Sequence, residues 1–254
     1  MSYGKSAALA AALCIVLPAL AAMAADRTTM PAPPAAAKAP AKAEPSPLPP
    51  PPVALAPLDQ VLAGLEKHYA QVSSMEATFT QEYRSRTTRQ VKNGSGSLVF
   101  EKPKKMRWSY DTAPKKLFVY DGQFFIMAEY EDKVASRTKV VMQQDLVTAL
   151  VFLTGKGHVT DHFETRVVAP SQYEPDIPVG DRIILEMLPK DDTETFAVMY
   201  LLLQPGSYAV SEVILYDLVG NRNRIAFDKT RYNQKVDPSQ FTFIPPRDWK
   251  VEEY

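Results

Sequence analysis

Two hydrophobic periods divide the chain. Leu58, Val61, Leu62, Leu65, Tyr69 and Val72 recur at helical spacing until Ser73-Ser74, which predicts a helix at the start of the folded region. From Met75 the period becomes two. Met75, Ala77, Phe79, Gln81 and Tyr83 take one side of a strand, and Glu76, Thr78, Thr80, Glu82 and Arg84 take the other. Asn93-Gly94 reads as a turn, with Leu98 and Phe100 leading into the next strand. There Met106, Trp108 and Tyr110 alternate with Lys105, Arg107 and Ser109, a bulky apolar face backed by a basic, wet one. Asp121-Gly122 supplies a hairpin signal before Phe124, Ile126 and Ala128 resume the alternation.

One segment breaks this rhythm. In residues 143–154, Leu146, Leu150 and Leu153 fall together with Val147 and Val151 beside them, and Gly155-Lys156-Gly157 stops the run, which predicts a short apolar helix. Strand-like runs return at residues 159–168, 182–188, 196–203, 209–217 and 224–231, with turn chemistry at Pro205-Gly206 and Val219-Gly220-Asn221. No fixed-period repeat is present. Many strands with two helical patterns describe an α+β, mainly β fold: a curved antiparallel sheet whose concave face the helices close.

The start of the chain has a different character. Lys5 precedes an apolar run from Ala7 to Ala22, and Ala22-Met23-Ala24 fits a cleavage site, so residues 1–24 are expected to be a signal peptide. A transmembrane anchor is the competing reading, but the run is short, Ala-rich and broken by Pro18. Cys14 follows Leu13, where lipoprotein processing requires a small residue, and it sits within the run rather than at its end. It is therefore expected to leave with the signal peptide, so that no thiol or disulfide chemistry remains. Residues 25–57, rich in Ala, Pro and Lys, are expected to be a linker; about thirty residues at ~3.1 Å each span roughly 90 Å. Residues 58–254 form the expected domain. Without Lys5 the remainder carries 28 basic and 29 acidic residues, a balance that argues against nucleic-acid binding.

Candidate chemistry is sparse. His158 and His162 have helical ligand spacing, but the surrounding period favours a strand and no third ligand follows. Gly94-Ser95-Gly96-Ser97 lacks the spacing of a nucleophile elbow, and Gly155-Lys156-Gly157 lacks the rest of a phosphate loop. Asp191-Asp192 and Glu252-Glu253 are adjacent carboxylates, which a strand would point to opposite faces. Lys102, Lys104, Lys105 and Arg107 could attract phosphate or simply form a solvated strand end. No enzyme activity, cofactor or metal is expected. What remains is apolar surface in excess: residues 196–203 (FAVMYLLL), 117–120 and 124–127 are apolar on both phases, and Met75, Met106, Met127, Met142, Met187 and Met199 follow the linker. Such residues serve as core or as the walls of a pocket for a greasy ligand.

The order of the motifs resembles the bacterial outer-membrane lipoprotein carrier (LolA) family. The resemblance is carried by the early helix followed by Met75–Gln81; by Gly96-Ser97-Leu98 leading to Lys102-Pro103 and Met106–Tyr110; and by Val119–Gly122. Downstream it continues through Asp217–Asn221 and the ending Asn233, Asp237 and Phe241–Pro246. It covers roughly Leu58 to Glu253.

This resemblance implies an incomplete β-barrel closed by helices over a hydrophobic cavity. It also implies a periplasmic, monomeric carrier of acylated lipoproteins. Its expected partners are a lipoprotein-releasing ABC transporter in the inner membrane and an acceptor at the outer membrane. Expected lining or lid residues are Phe79, Tyr83, Leu98, Phe100, Met106, Trp108, Leu117, Val119, Leu146, Leu150, Leu153, Met187 and Met199. The family's basic residue before the Pro contacts the helical lid and is usually Arg. Here Lys102 stands in that position and keeps the charge without the planar fork. A carrier of other envelope lipids and an envelope-stress lipoprotein sensor are the alternatives on the same fold.

Overall fold

The computed structural model describes residues 55–139, 158–170, 177–191 and 196–254. Helix α1 spans Leu58–Ala70, with Asp59 in its first turn and Lys67 and His68 in its last, charges that suit the helix dipole. Val61, Leu65 and Tyr69, four residues apart, make its buried stripe.

The strands follow in an antiparallel meander. They are β1 Ser74–Arg84, β2 Val91–Glu101, β3 Lys105–Tyr110, β4 Lys116–Tyr120, β5 Phe124–Glu129 and β6 Val134–Lys139. A single helical turn, α2 (Val159–His162), then opens a second set: β7 Phe163–Val168, β8 Ile183–Pro189, β9 Phe196–Leu203, β10 Val210–Asp217 and β11 Arg222–Tyr232. The short β12 (Lys250–Glu253) returns to pair with β6.

All twelve strands form one sheet in the order β12-β6-β5-β4-β3-β2-β1-β11-β10-β9-β8-β7. Pairing is antiparallel throughout except between β12 and β6. The junction of the two meanders is β1 against β11, where Phe79 lies opposite Phe227 and Tyr83 opposite Asn223. Among the described residues β7 and β12 remain edges, so the curved sheet does not close. This is the incomplete barrel expected from the sequence.

Among the described residues three apolar clusters hold it. The largest lies inside the curve, where α1 packs against both halves of the sheet. A second covers the outer side of β7–β10, where Val168, Ile184, Leu202 and Ile214 of neighbouring strands cluster with Ile177 and Val179. A third covers the outer side of β4–β5, where Leu117, Val119, Ile126 and Ala128 meet Phe243 and Trp249 of the C-terminal segment. The outer clusters explain much of the surplus apolar sequence. FAVMYLLL and residues 117–120 are apolar on both phases because those strands are covered on both faces.

Several local expectations change. Asn93-Gly94 is not a turn; both residues lie within β2, and the turn falls at residues 85–90. The glycines of β2 answer to close packing. A Cβ on Gly96 would come within 1.8 Å of the Ser109 carbonyl oxygen, and one on Gly94 within 3.3 Å of the Tyr110 ring. The run 159–168 is not all strand, because its first four residues form α2.

Candidate functional site

The inner face begins with sequence alternation and is completed by register. Across β1, β2 and β3, Ala77 lies opposite Leu98 and Leu98 opposite Trp108; Met75 lies opposite Phe100 and Phe100 opposite Met106. Pleating points all of these into the curve. In the other meander Met187 pairs with Met199, and Leu185 with Leu201, on the same inner side. Phe79, Leu98, Phe100, Met106, Trp108, Met187 and Met199 therefore meet in one buried cluster. Phe79 sits at its centre, with ring centroids 4.9 Å from Trp108 and 5.0 Å from Tyr110.

Leu117 and Val119, expected in the lining, point the other way. The pairing of Trp108 with Phe118 and Met106 with Tyr120 sends Phe118 and Tyr120 inward and puts Leu117 and Val119 in the outer cluster. Phe125, Val213, Leu215 and Phe227 also join the inner wall and were not singled out from the sequence. For β4 the missing signal is intrinsic, since both phases of KLFVY are apolar. Phe227 has a sequence signal, its period-two alternation with Ile225. Tyr83 is half-buried at the rim, where burial, then the charge of Asp217, raises its phenol pKa. Nearby, the buried Gln81 amide donates to Asn223 Oδ1 at 2.7 Å. The helix expected at Leu146, Leu150 and Leu153 lies outside the described residues.

Lys102 closes the opposite end. Its Nζ donates to the carbonyl oxygen of Tyr69 at 2.5 Å, in the last turn of α1. The helix ends there, and the Tyr69 carbonyl, which also accepts from the Val72 N–H at 3.2 Å, holds the ammonium at the negative end of the helix dipole. Burial lowers the pKa of Lys102.

Tyr69 is fixed at its other end as well. Its hydroxyl accepts from the Val210 backbone N–H at 3.1 Å, and burial raises its phenol well above the ordinary value. One residue of α1 thus ties the helix to β10 in one meander and, through Lys102 beyond β2, to the other. His68, edge-on to Tyr69 and Tyr232, has its pKa lowered by burial.

The remaining candidates resolve into structural contacts. His158 sits at the N-terminus of α2, with Nδ1 3.1 Å from a Glu66 carboxylate oxygen on α1. Of the basic cluster, Lys105 pairs with Glu101 and Arg107 donates to Ser109 and to the Gln240 carbonyl. Among the described residues, no group of three or more His, Cys, Asp and Glu is placed to hold a metal ion. The inner wall offers apolar contact and, at its ends, a few hydrogen-bonding groups. Such an arrangement can bind a hydrocarbon chain.

Comparison with known proteins adds the family. The family model described as "Outer membrane lipoprotein carrier protein LolA" matches residues 70–244. An outer-membrane lipoprotein carrier protein from Nitrosomonas europaea is 26% identical over 174 residues, covering 68% of this chain and 79% of that protein. One from Alkalilimnicola ehrlichii is 25% identical over 184 residues, covering 72% and 79%. Among solved structures, an uncharacterized conserved protein from Thermus thermophilus matches with a TM-score of 0.48 and 12% identity, over 77% of this chain and 98% of that one. With its apolar inner wall, its capping helix and a family match across most of its length, the chain belongs to the LolA family of outer-membrane lipoprotein carrier proteins.

Proposed function

We propose that this protein is a periplasmic carrier that holds the acyl chains of lipoproteins against its inner wall. In this reading it collects them from a lipoprotein-releasing ABC transporter in the inner membrane and delivers them to an acceptor at the outer membrane. It does so by binding and release, without catalysis. The observation that carries this reading is the continuous apolar inner face under α1, a helix fastened at its end by Lys102. At ~0.8 kcal/mol per methylene, a sixteen-carbon chain left in water costs on the order of 12 kcal/mol, so a soluble carrier must enclose it. A single charge-assisted hydrogen bond, at roughly 1.5–3 kcal/mol, biases a capping helix without locking it.

Residues 1–24 serve in this reading as the export signal and residues 25–57 as a spacer ahead of the carrier domain. The test is to isolate the protein from the periplasm and identify what it carries by mass spectrometry, then to follow transfer of an acylated lipoprotein from inner- to outer-membrane vesicles. Co-isolated acylated protein and transfer that depends on the chain are expected. Free fatty acids or glycolipids without acylated protein would replace the reading with a carrier of other envelope lipids.

A further inference from the structure

The end of the sheet opposite Lys102 carries a second feature that the carrier role does not use. Leu218 and Val219, at the tip of the turn between β10 and β11, are 69% and 63% exposed. Large aliphatic residues at a turn tip are ordinarily traded for polar ones, and here two stand side by side. The turn that presents them is firmly built. The Asp217 carboxylate accepts from the N–H groups of Val219 at 3.1 Å and Asn221 at 2.8 Å, and the Gly220 N–H donates to the Asp217 carbonyl at 3.0 Å.

A neighbouring turn, residues 85–90 between β1 and β2, is tied to this one. The Arg86 N–H donates to Asn221 Oδ1 at 2.9 Å, and the Arg86 side chain lies so close over Gly220 that a Cβ there would meet it at 2.8 Å. Arg86, Arg89 and Lys92 are exposed on this hairpin, beside a third exposed aliphatic residue, Val91. The hairpin also projects. Val91–Gly94 run on past Ser95, which still accepts from Asp111 of the next loop; four residues at ~3.3 Å each reach about 13 Å further. The nearest carboxylates are engaged: Asp217 within its turn, and Glu82 by Arg222 and Arg84. Asp111, Glu131, Asp132 and Asp191 belong to loops further along the same rim.

We infer that this paired tip is a membrane-contact point: Leu218 and Val219 enter the headgroup region of an anionic bilayer while Arg86, Arg89 and Lys92 lie against its lipid phosphates. A projecting tip offers a protein partner no groove, whereas a deformable lipid surface takes a small apolar wedge ringed by cations. Two aliphatic side chains and three cations make a weak, reversible contact that salt screens, suited to a protein that must leave again.

The test uses the chain lacking only residues 1–24. Its binding to vesicles of phosphatidylglycerol and phosphatidylcholine is compared with binding to phosphatidylcholine alone, with fatty-acid uptake measured in parallel. Preference for the anionic vesicles, weakening at high salt, is expected. Leu218→Ser with Val219→Ser should reduce binding by about tenfold or more, and Arg89→Gln with Lys92→Gln should abolish the lipid preference. Fatty-acid uptake should be unchanged in both. Leu218→Trp should shift its emission to the blue on anionic vesicles. Equal binding to both vesicle types, undiminished binding by the Ser variant, or no vesicle binding at all would overturn the inference. In the last case the tip would face a protein. Because uptake is read separately, loss of the carrier reading would show as failed uptake with vesicle binding intact.

Discussion

The side-chain nitrogen of Lys102 donates to the carbonyl oxygen of Tyr69 at 2.5 Å, joining the loop after β2 to the final turn of the capping helix. The bond spans 33 positions in sequence. It adds one charge-assisted bond to an attachment that the buried stripe of α1 and the Tyr69 hydroxyl already make.

Replacing Lys102 with Met should therefore loosen α1. The site is partly solvated, so the loss should be about 1 kcal/mol rather than the full worth of a buried charged bond. Lys102→Arg should retain most of it. Urea unfolding measures the stability, and the release rate of a bound acylated cargo measures the function. Faster release by the Met variant with little loss of fold is expected; unchanged release would remove Lys102 from the mechanism.

Gly64 separates propensity from packing. An alanine inside a helix ordinarily gains about 1 kcal/mol over glycine. Here the added Cβ would lie 2.3 Å from the Tyr208 ring, whose hydroxyl accepts from Gln60. Gly64→Ala should accordingly destabilise, by about 1–3 kcal/mol. Gly96→Ala should cost more, because its Cβ meets a backbone oxygen that cannot rotate away. Thermal melts should rank wild type above Gly64→Ala, and Gly64→Ala above Gly96→Ala; a Gly64→Ala melt above wild type would contradict the packing.

On the outer face, Glu212 is 1% exposed and bridges Arg182 and Arg224. Glu212→Ala leaves two guanidinium groups at a partly buried site without their counter-charge. A loss of about 3 kcal/mol is expected in urea unfolding, and partial recovery if Arg224 is also changed to Met. Additive losses in the double variant would deny the coupling.

His158 gives the fold a pH dependence. Its hydrogen bond to Glu66, together with the charges of Glu66 and Asp161, raises its pKa above the ordinary value. A base whose folded pKa is raised stabilises fully below its unfolded pKa, ~6.5, and that contribution fades as pH rises through the folded value. Attachment of α2 to α1 should therefore weaken from about neutrality upward. NMR titration of His158 should show the raised pKa, and Glu66→Gln should bring it down; an unmoved titration in that variant would rule out Glu66 as the cause.

How much of this was legible in the sequence depends on which faces are wet. Met106, Trp108 and Tyr110 announced their face because Lys105, Arg107 and Ser109 held the other phase in water. On β4 and β9 both faces are covered, the period-two signal vanishes, and nothing in the pattern tells that Leu117 and Val119 face outward. The length and stripe of α1 were readable from local spacing. The meeting of Lys102 with Tyr69 was not, because it depends on where the helix docks. Asn93-Gly94 misled for a related reason: glycine marks close approach as readily as it marks a turn, and the Ser109 carbonyl and Tyr110 ring that crowd β2 come from the next strand.

Among the described residues β7 and β12 are the edges of the sheet, and this bears on capacity. A closed barrel has a girth set by its strand number and stagger, so a larger guest must break a ladder of hydrogen bonds. A sheet with two ends can spread by changing its curvature while every strand pairing stays intact. In the carrier role proposed above, a broader or more numerous set of hydrocarbon tails would then cost bending and loss of side-chain contact but no backbone bonds, so that one sheet would serve cargoes of unequal bulk.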